Sequence, residues 1–238
     1  MYRVEDCPQI QGSWFLGGRC EGASKILRGS VGVLTYFLTR GEGSWSKQDR
    51  DKYYEILNKA ESFLMREAKR YGAPLEFVNY HYIGNLPSDA NHLHTFSHVK
   101  KFLNVASMED AQNYFERTLC CSEVPLIFVF NEPGQCFAWT QGKGGTVDES
   151  STVFFDGGNL HWYLIAHELL HQFGAPDYYK PEAIRVKALQ YFGNSVMGVG
   201  DYTAAVDDLS AYLVGWKDTL SEYSYCFLKD TMWYGKDK

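Results

Sequence analysis

Within residues 159–177, two histidines and a glutamate are spaced as H-E-x-x-H at His167, Glu168 and His171. Side chains four residues apart lie on one helix face a turn apart, so both imidazoles can reach a single cation, a spacing that suits zinc. Advancing about 100° per residue from His167 places His171 near 40°, while Trp162, Ile165, Ala166, Leu169 and Phe173 fall between about 160° and 260°. The apolar residues predict the face packed on the core, and the histidines then look into a cleft. Gly174 suits a positive-φ helix stop, and Ala175-Pro176 carries the chain round to Asp177, an acid that can return to the same cation as a third ligand. The glycine and the acid at these offsets reduce a chance match to on the order of one in ten thousand. The segment is therefore read as a metal centre and not as the polar face of an ordinary helix. Three protein ligands leave zinc a position for water, as catalytic sites do. Glu168, about 100° from His167, stands beside the ligands where it can take a proton from that water.

The stretch His167-Glu-Leu-Leu-His-Gln-Phe-Gly-Ala-Pro-Asp177 resembles the extended H-E-x-x-H-x-x-G-x-x-[HD] signature of metzincin zinc endopeptidases. Its aspartate form is most similar to snapalysin-type and immune-inhibitor-A-type proteases. The resemblance implies a metalloendopeptidase with one catalytic Zn2+ held by His167, His171 and Asp177, with Glu168 as general base and a protein or peptide as substrate. It also implies a methionine turn below the metal, for which Asn194-Ser-Val-Met-Gly-Val-Gly200 is the candidate and Met197 its methionine, followed by a helix over 207–216. In several metzincins a tyrosine two residues after that methionine steadies the oxyanion, but Val199 stands there in this chain. Tyr178, Tyr179, Tyr202 and Arg185 are the candidates for the role, and Tyr202 is put forward. A non-peptidase zinc hydrolase and a catalytically inactive, metal-stabilised binding module are the alternatives that keep the same helix.

The elements that must position these residues follow from periodicity and turn chemistry. Val31 to Leu38 reads as a strand. Ser46 and Asp49 then cap a long helix whose apolar face runs from Tyr53 to Tyr71 and which Gly72 and Pro74 end. Leu75 to Tyr82 is a strand, about 108–118 a shorter helix, Val124 to Phe130 a buried strand and Ser151 to Phe155 another. The Asn131-Glu-Pro-Gly134 turn predicts that Gln135 to Gln141 folds back antiparallel to the 124–130 strand, giving a sheet edge on which a substrate can add as a further strand. The expected fold class is α+β, a metzincin-like zincin. It has a mixed, mostly parallel sheet with an antiparallel edge strand, a long backing helix, the active-site helix and a smaller C-terminal subdomain. Residues 1–29 read as a leader. Residues 30–238 read as one catalytic domain, with an upper lobe over 30–174, Gly174 as pivot and a lower lobe over 175–238.

Composition narrows the partners. With 23 basic and 29 acidic residues the chain carries −6 and no long basic cluster, which argues against nucleic acid. Hydrophobic residues at 45% and charged residues at 22% are those of a chain that buries a core. No apolar run is long enough to span a bilayer. A cytoplasmic location is favoured because no secretory signal opens the chain, with secretion the alternative if it was trimmed. The six cysteines are sparse and contain no C-x-x-C pair, so free thiols are expected. His92, His94 and His98 are weighed as a second metal site, and Cys20 as a latency residue, each against a plain structural role.

Overall fold

The computed structural model describes residues 24–41, 44–89, 100, 104–139, 150–198 and 203–232. Five strands, β1 (Gly29–Arg40), β2 (Leu75–Leu86), β3 (Leu126–Phe130), β4 (Phe137–Trp139) and β5 (Ser150–Phe154), form one sheet in the order β2-β1-β3-β5-β4. All neighbours are parallel except β4 and β5. Among the described residues six α-helices accompany them: α1 (Lys47–Arg70), α2 (Met108–Leu119), α3 (Trp162–Gln172), α4 (Glu182–Phe192), α5 (Asp208–Leu213) and α6 (Glu222–Met232). The architecture is the expected metzincin-like mixed sheet with an antiparallel edge strand.

The central strands read as continuous apolar runs because both faces of the sheet are covered. Along β1, Val31, Val33 and Phe37 join the core on one side, while Leu34, Tyr36 and Leu38 join a second core on the other. The first side is closed by α1 and α3. Ser46 caps α1 by accepting from Asp49 N at 3.0 Å, and Tyr53, Leu57, Ala60, Leu64 and Ala68 form its buried stripe. The second side is closed by α2, whose Ala111 and Phe115 pack in the core with Tyr36 and Phe128. A capping box between Ser107 and Asp110 starts α2, and Cys120 in the left-handed conformation ends it.

Two expectations are corrected. The chain leaving the 131–134 turn does not pair with β3. Both edges of β3 are occupied by the parallel neighbours β1 and β5, so the returning strand β4 attaches at the free edge of β5, Phe137 opposite Thr152. The helix expected over 207–216 is shorter, Asp208–Leu213. Asp207 caps it through Ser210 N, and Gly215 at φ 86° turns the chain out of it. Helices α4 and α6 add to the expected elements; in α4 Ile184 and Ala188 are buried and Tyr191 and Phe192, at the same helical spacing, pack against the core.

Residues 24–28 tie the two ends of the chain together. Leu27 N donates to Val214 O at 2.9 Å, Trp216 Nε1 donates to Leu27 O at 2.5 Å, and Glu123 accepts from Lys25 N and Ile26 N. The rest of the expected leader lies outside the described residues. Among those residues, no helix is long and apolar enough to cross a membrane, and Cys120, Cys121, Cys136 and Cys226 are free thiols.

Candidate metal centre

Helix α3 is fixed before its histidines are placed. Ile165, Ala166, Leu169, Leu170 and Phe173 are buried, and Trp162 stacks on Phe63 of α1 with ring centroids 5.0 Å apart. One polar residue contributes to the same anchoring. Gln172 Nε2 donates to Leu126 O at 3.0 Å, and its Oε1 accepts from Leu126 N at 3.1 Å, so the amide bonds β3 much as a neighbouring strand would. Nε2 also donates to Ser151 Oγ, which in turn donates to the backbone carbonyl of Glu168 at 3.0 Å. This pins both the axial position and the rotation of α3 against β3 and β5. Gly174 at φ 96° then ends the helix, with its N–H on His171 O and Ala175 N on Leu170 O.

That turn brings Asp177 back over the histidines. His167 Nε2 and His171 Nε2 are 3.0 Å apart, and Asp177 Oδ1 is 3.1 Å from each. Three atoms at this spacing would hold one divalent cation among them, which would supply Lewis acidity at this end of the cleft. The other imidazole nitrogens are both engaged. His167 Nδ1 lies 3.0 Å from Val196 O, and His171 Nδ1 lies 2.7 Å from Ala175 O. A carbonyl only accepts, so in the neutral rings each Nδ1 carries the proton and each Nε2 presents a lone pair. Two lone pairs and a carboxylate oxygen thus converge with no hydrogen to share among them. The donor set and its spacing fit a divalent ion with nitrogen and oxygen ligands.

Glu168 stands beside this triangle, its ligand atoms within 4.8 Å of those of the two histidines. It is 5% exposed, and Oε2 is buried without a hydrogen-bond partner among the described residues. Burial pushes its carboxyl up to about 7, with His167 opposing the rise and Asp177 adding to it. A nearby cation would favour the charged form and bring it back down.

The candidate methionine turn lies against the same residues. Met197 is fully buried, lines the cleft with His167 and Glu168, and accepts from Tyr178 N at 2.9 Å. Its own N–H donates to Ser195 Oγ at 3.1 Å, and Ser195 Oγ donates to Asp207 Oδ2 at 2.6 Å. The Val196 carbonyl that orients His167 is therefore held in a turn braced by Asp207 at the start of α5.

The residues considered for the oxyanion separate. Tyr178 is fully buried and faces away, its hydroxyl near Asp207 and Ser210. Arg185 is forked onto Glu182 on the surface of α4. Tyr179 lines the cleft, its ring 6.1 Å from that of His167 and its hydroxyl bonded to Asp177. Burial and the nearby acids push its phenol up to about 12. Tyr202, the residue put forward, lies outside the described residues, as do His92, His94, His98 and Cys20. Sequence reading also passed over Gln172, Ser195 and Cys136. Cys136 lines the cleft near Glu168, and burial pushes its thiol up to about 11.

The fold is a mostly parallel mixed sheet with an antiparallel edge strand, consistent with a metzincin-like fold, and it carries a His-Glu-His group that could hold a metal ion. No protein-family profile and no curated protein sequence matches the chain. Among solved structures, it is similar over 91% of its length to wild-type OgpA from Akkermansia muciniphila, at 14% identity and a TM-score of 0.44. Over 94% of its length it is similar to metalloproteinase-II from Bacteroides fragilis, at 12% identity and a TM-score of 0.35. The chain spans 66% and 58% of the lengths of those two proteins.

Proposed function

We propose that the chain is a zinc-dependent endopeptidase. The observation that carries this reading is the convergence of His167 Nε2, His171 Nε2 and Asp177 Oδ1 within 3.0–3.1 Å of one another, with the partnerless Oε2 of Glu168 beside them in a cleft. Asp177 is preferred to Glu168 as third ligand because its oxygen lies 3.1 Å from both imidazole nitrogens. A bound zinc ion supplies Lewis acidity for the scissile carbonyl and the attacking water. The carbonyls of Val196 and Ala175 keep both Nδ1 atoms protonated and so keep both Nε2 lone pairs turned to the centre. Glu168 takes the proton of the attacking water on Oε2 and passes it to the leaving amine nitrogen. Tyr179, at the mouth of the centre, turns its hydroxyl from Asp177 to donate to the developing oxyanion. β4 is the last strand in the sheet order and antiparallel to β5, and a substrate backbone adds along this side of the sheet as a further strand.

The test is Glu168→Gln. The variant is expected to retain about one zinc per chain by elemental analysis and to lose cleavage of a peptide library, read by mass spectrometry, by about a thousandfold. Unchanged cleavage by the variant overturns the role of Glu168. A zinc-loaded wild type that cuts no peptide favours the non-peptidase hydrolase or the binding module.

A further inference from the structure

The cleft of about 610 Å³ extends well beyond the metal centre. From His167 and Glu168 it runs along the N-terminal half of α3, past Leu164, Tyr163 and Leu160, to Asp156 and Asn159. Tyr163, Leu164 and His167 lie on one face of α3 at helical spacing, and Leu160, just before the helix, extends the same largely apolar wall.

The far end is acidic, and among the described residues no lysine or arginine lines the cleft. Asp156 Oδ2 accepts from Asn159 Nδ2 at 3.1 Å, and among the described residues no ion pair joins its carboxylate to a cation. The side chain of Lys52 passes beside Gly158, but it too makes no ion pair with Asp156. The backbone at this turn is unusual as well. Asp156, Gly157 and Gly158 have φ of 45°, 63° and 106°, and an aspartate occupies the first of three positions that favour glycine. The turn thus sets a carboxylate at the end of an apolar wall, as an aliphatic stem with a cationic head requires.

We infer that Asp156 is a specificity-determining residue, and that it selects peptides with a lysine or arginine side chain on the side of the scissile bond that lies along the N-terminal half of α3. The inference rests on the peptidase reading and names its substrate class. The cation lays its methylenes on Leu160 and Leu164 and meets the Asp156 carboxylate, while Glu168, the other acid in the cleft, is committed to proton transfer.

Synthetic peptides that differ only in carrying lysine, norleucine or glutamate at each position in turn test it. At one position the wild type is expected to prefer lysine over norleucine by at least about tenfold in kcat/KM. In Asp156→Asn that ratio falls towards one, Asp156→Glu restores it, and Asp156→Lys turns the preference towards glutamate. A ratio unchanged in Asp156→Asn, or no lysine preference in the wild type at any position, overturns the inference. A second measurement separates it from the reading beneath it. Binding of the fluorescently labelled lysine peptide to zinc-loaded Glu168→Gln, followed by anisotropy, is expected to weaken about tenfold when Asp156→Asn is added. Asp156-dependent binding in a protein whose wild type cuts no peptide leaves the recognition standing and removes the peptidase. Binding indifferent to Asp156 removes the recognition, whatever is cut.

Discussion

Asp177 and Asp207 are both carboxylates with several close polar partners in the C-terminal part of the chain, yet they do opposite things. Asp207 is surrounded by donors. Ser195 Oγ and Ser210 Oγ each reach Oδ2 at 2.6 Å, and Ser210 N reaches Oδ1 at 2.9 Å. Burial pushes its carboxyl up, but every close contact brings it a hydrogen. Asp177 is faced by two imidazole nitrogens whose protons are on the opposite side of each ring. The first cluster is complete in itself and braces the Met197 turn. The second turns two lone pairs and a carboxylate oxygen towards one point, an arrangement that could hold a cation. Counting polar neighbours does not separate the two; deciding which neighbours carry hydrogens does.

The comparison breaks most severely at Asp177. Asp177→Ala is expected to drop zinc content well below one per chain by elemental analysis and to reduce peptide cleavage by about a thousandfold, with the fold retained by circular dichroism. A chelator should reproduce that loss in the wild type, and added zinc should reverse it. Full activity in Asp177→Ala would remove the asymmetry on which the comparison rests.

Asp207→Ala should act the other way round. Leaving three buried donors without an acceptor costs about 3 kcal/mol of stability, read as a shift of the urea midpoint, while zinc still binds at one per chain. If zinc is lost with no change in stability, Asp207 is not a brace.

Tyr179→Phe keeps the ring against His167 and removes the hydroxyl. Zinc content should be unchanged, with kcat down about 30-fold and KM within a factor of three, the pattern of an interaction made in the transition state. An equal rise in KM with constant kcat would make Tyr179 a substrate-binding residue instead.

The smallest effect concerns a buried acid outside the site. Glu61 of α1 accepts from Asn79 Nδ2 at 3.1 Å, and its Oε1 has no partner among the described residues. Burial pushes its carboxyl from 4.5 up to about 7. The folded protein therefore holds this proton where the unfolded chain has released it. The stability this contributes is complete below about 4.5 and is lost as pH rises towards 7. Glu61→Gln should raise the melting temperature relative to wild type at pH 8, and the gap should close near pH 4.5. The same gap at both pH values would show that Glu61 does not titrate in this window. Such an acid has Glu168's burial and raised carboxyl without converging ligands, which separates a buried charge from a metal site.

Much of this was legible in the sequence because it depends on neighbours within a turn or two. The 167–171 spacing, the apolar face of α3, the Ser46 cap of α1, the stop at Gly174 and the both-sides-buried character of β1 and β3 are all local patterns. What was not legible depends on which elements meet. Whether β4 lies against β3 or β5 is decided by which edge its neighbours leave free. Gln172 reads as a polar interruption of a core face until β3 comes close enough for its amide to bond Leu126. The bracing of the 195–198 turn by Asp207 joins residues in separate elements, and the reach of the cleft to Asp156 exists only once the 156–159 turn sits beside α3. The sequence alone determined which residues carry donor atoms and at what helical spacing. Only tertiary structure decided which of those atoms point at one another and on which side of each imidazole the proton must sit, because hydrogen bonds to Val196 and Ala175 come from backbone that the chain must first fold into place.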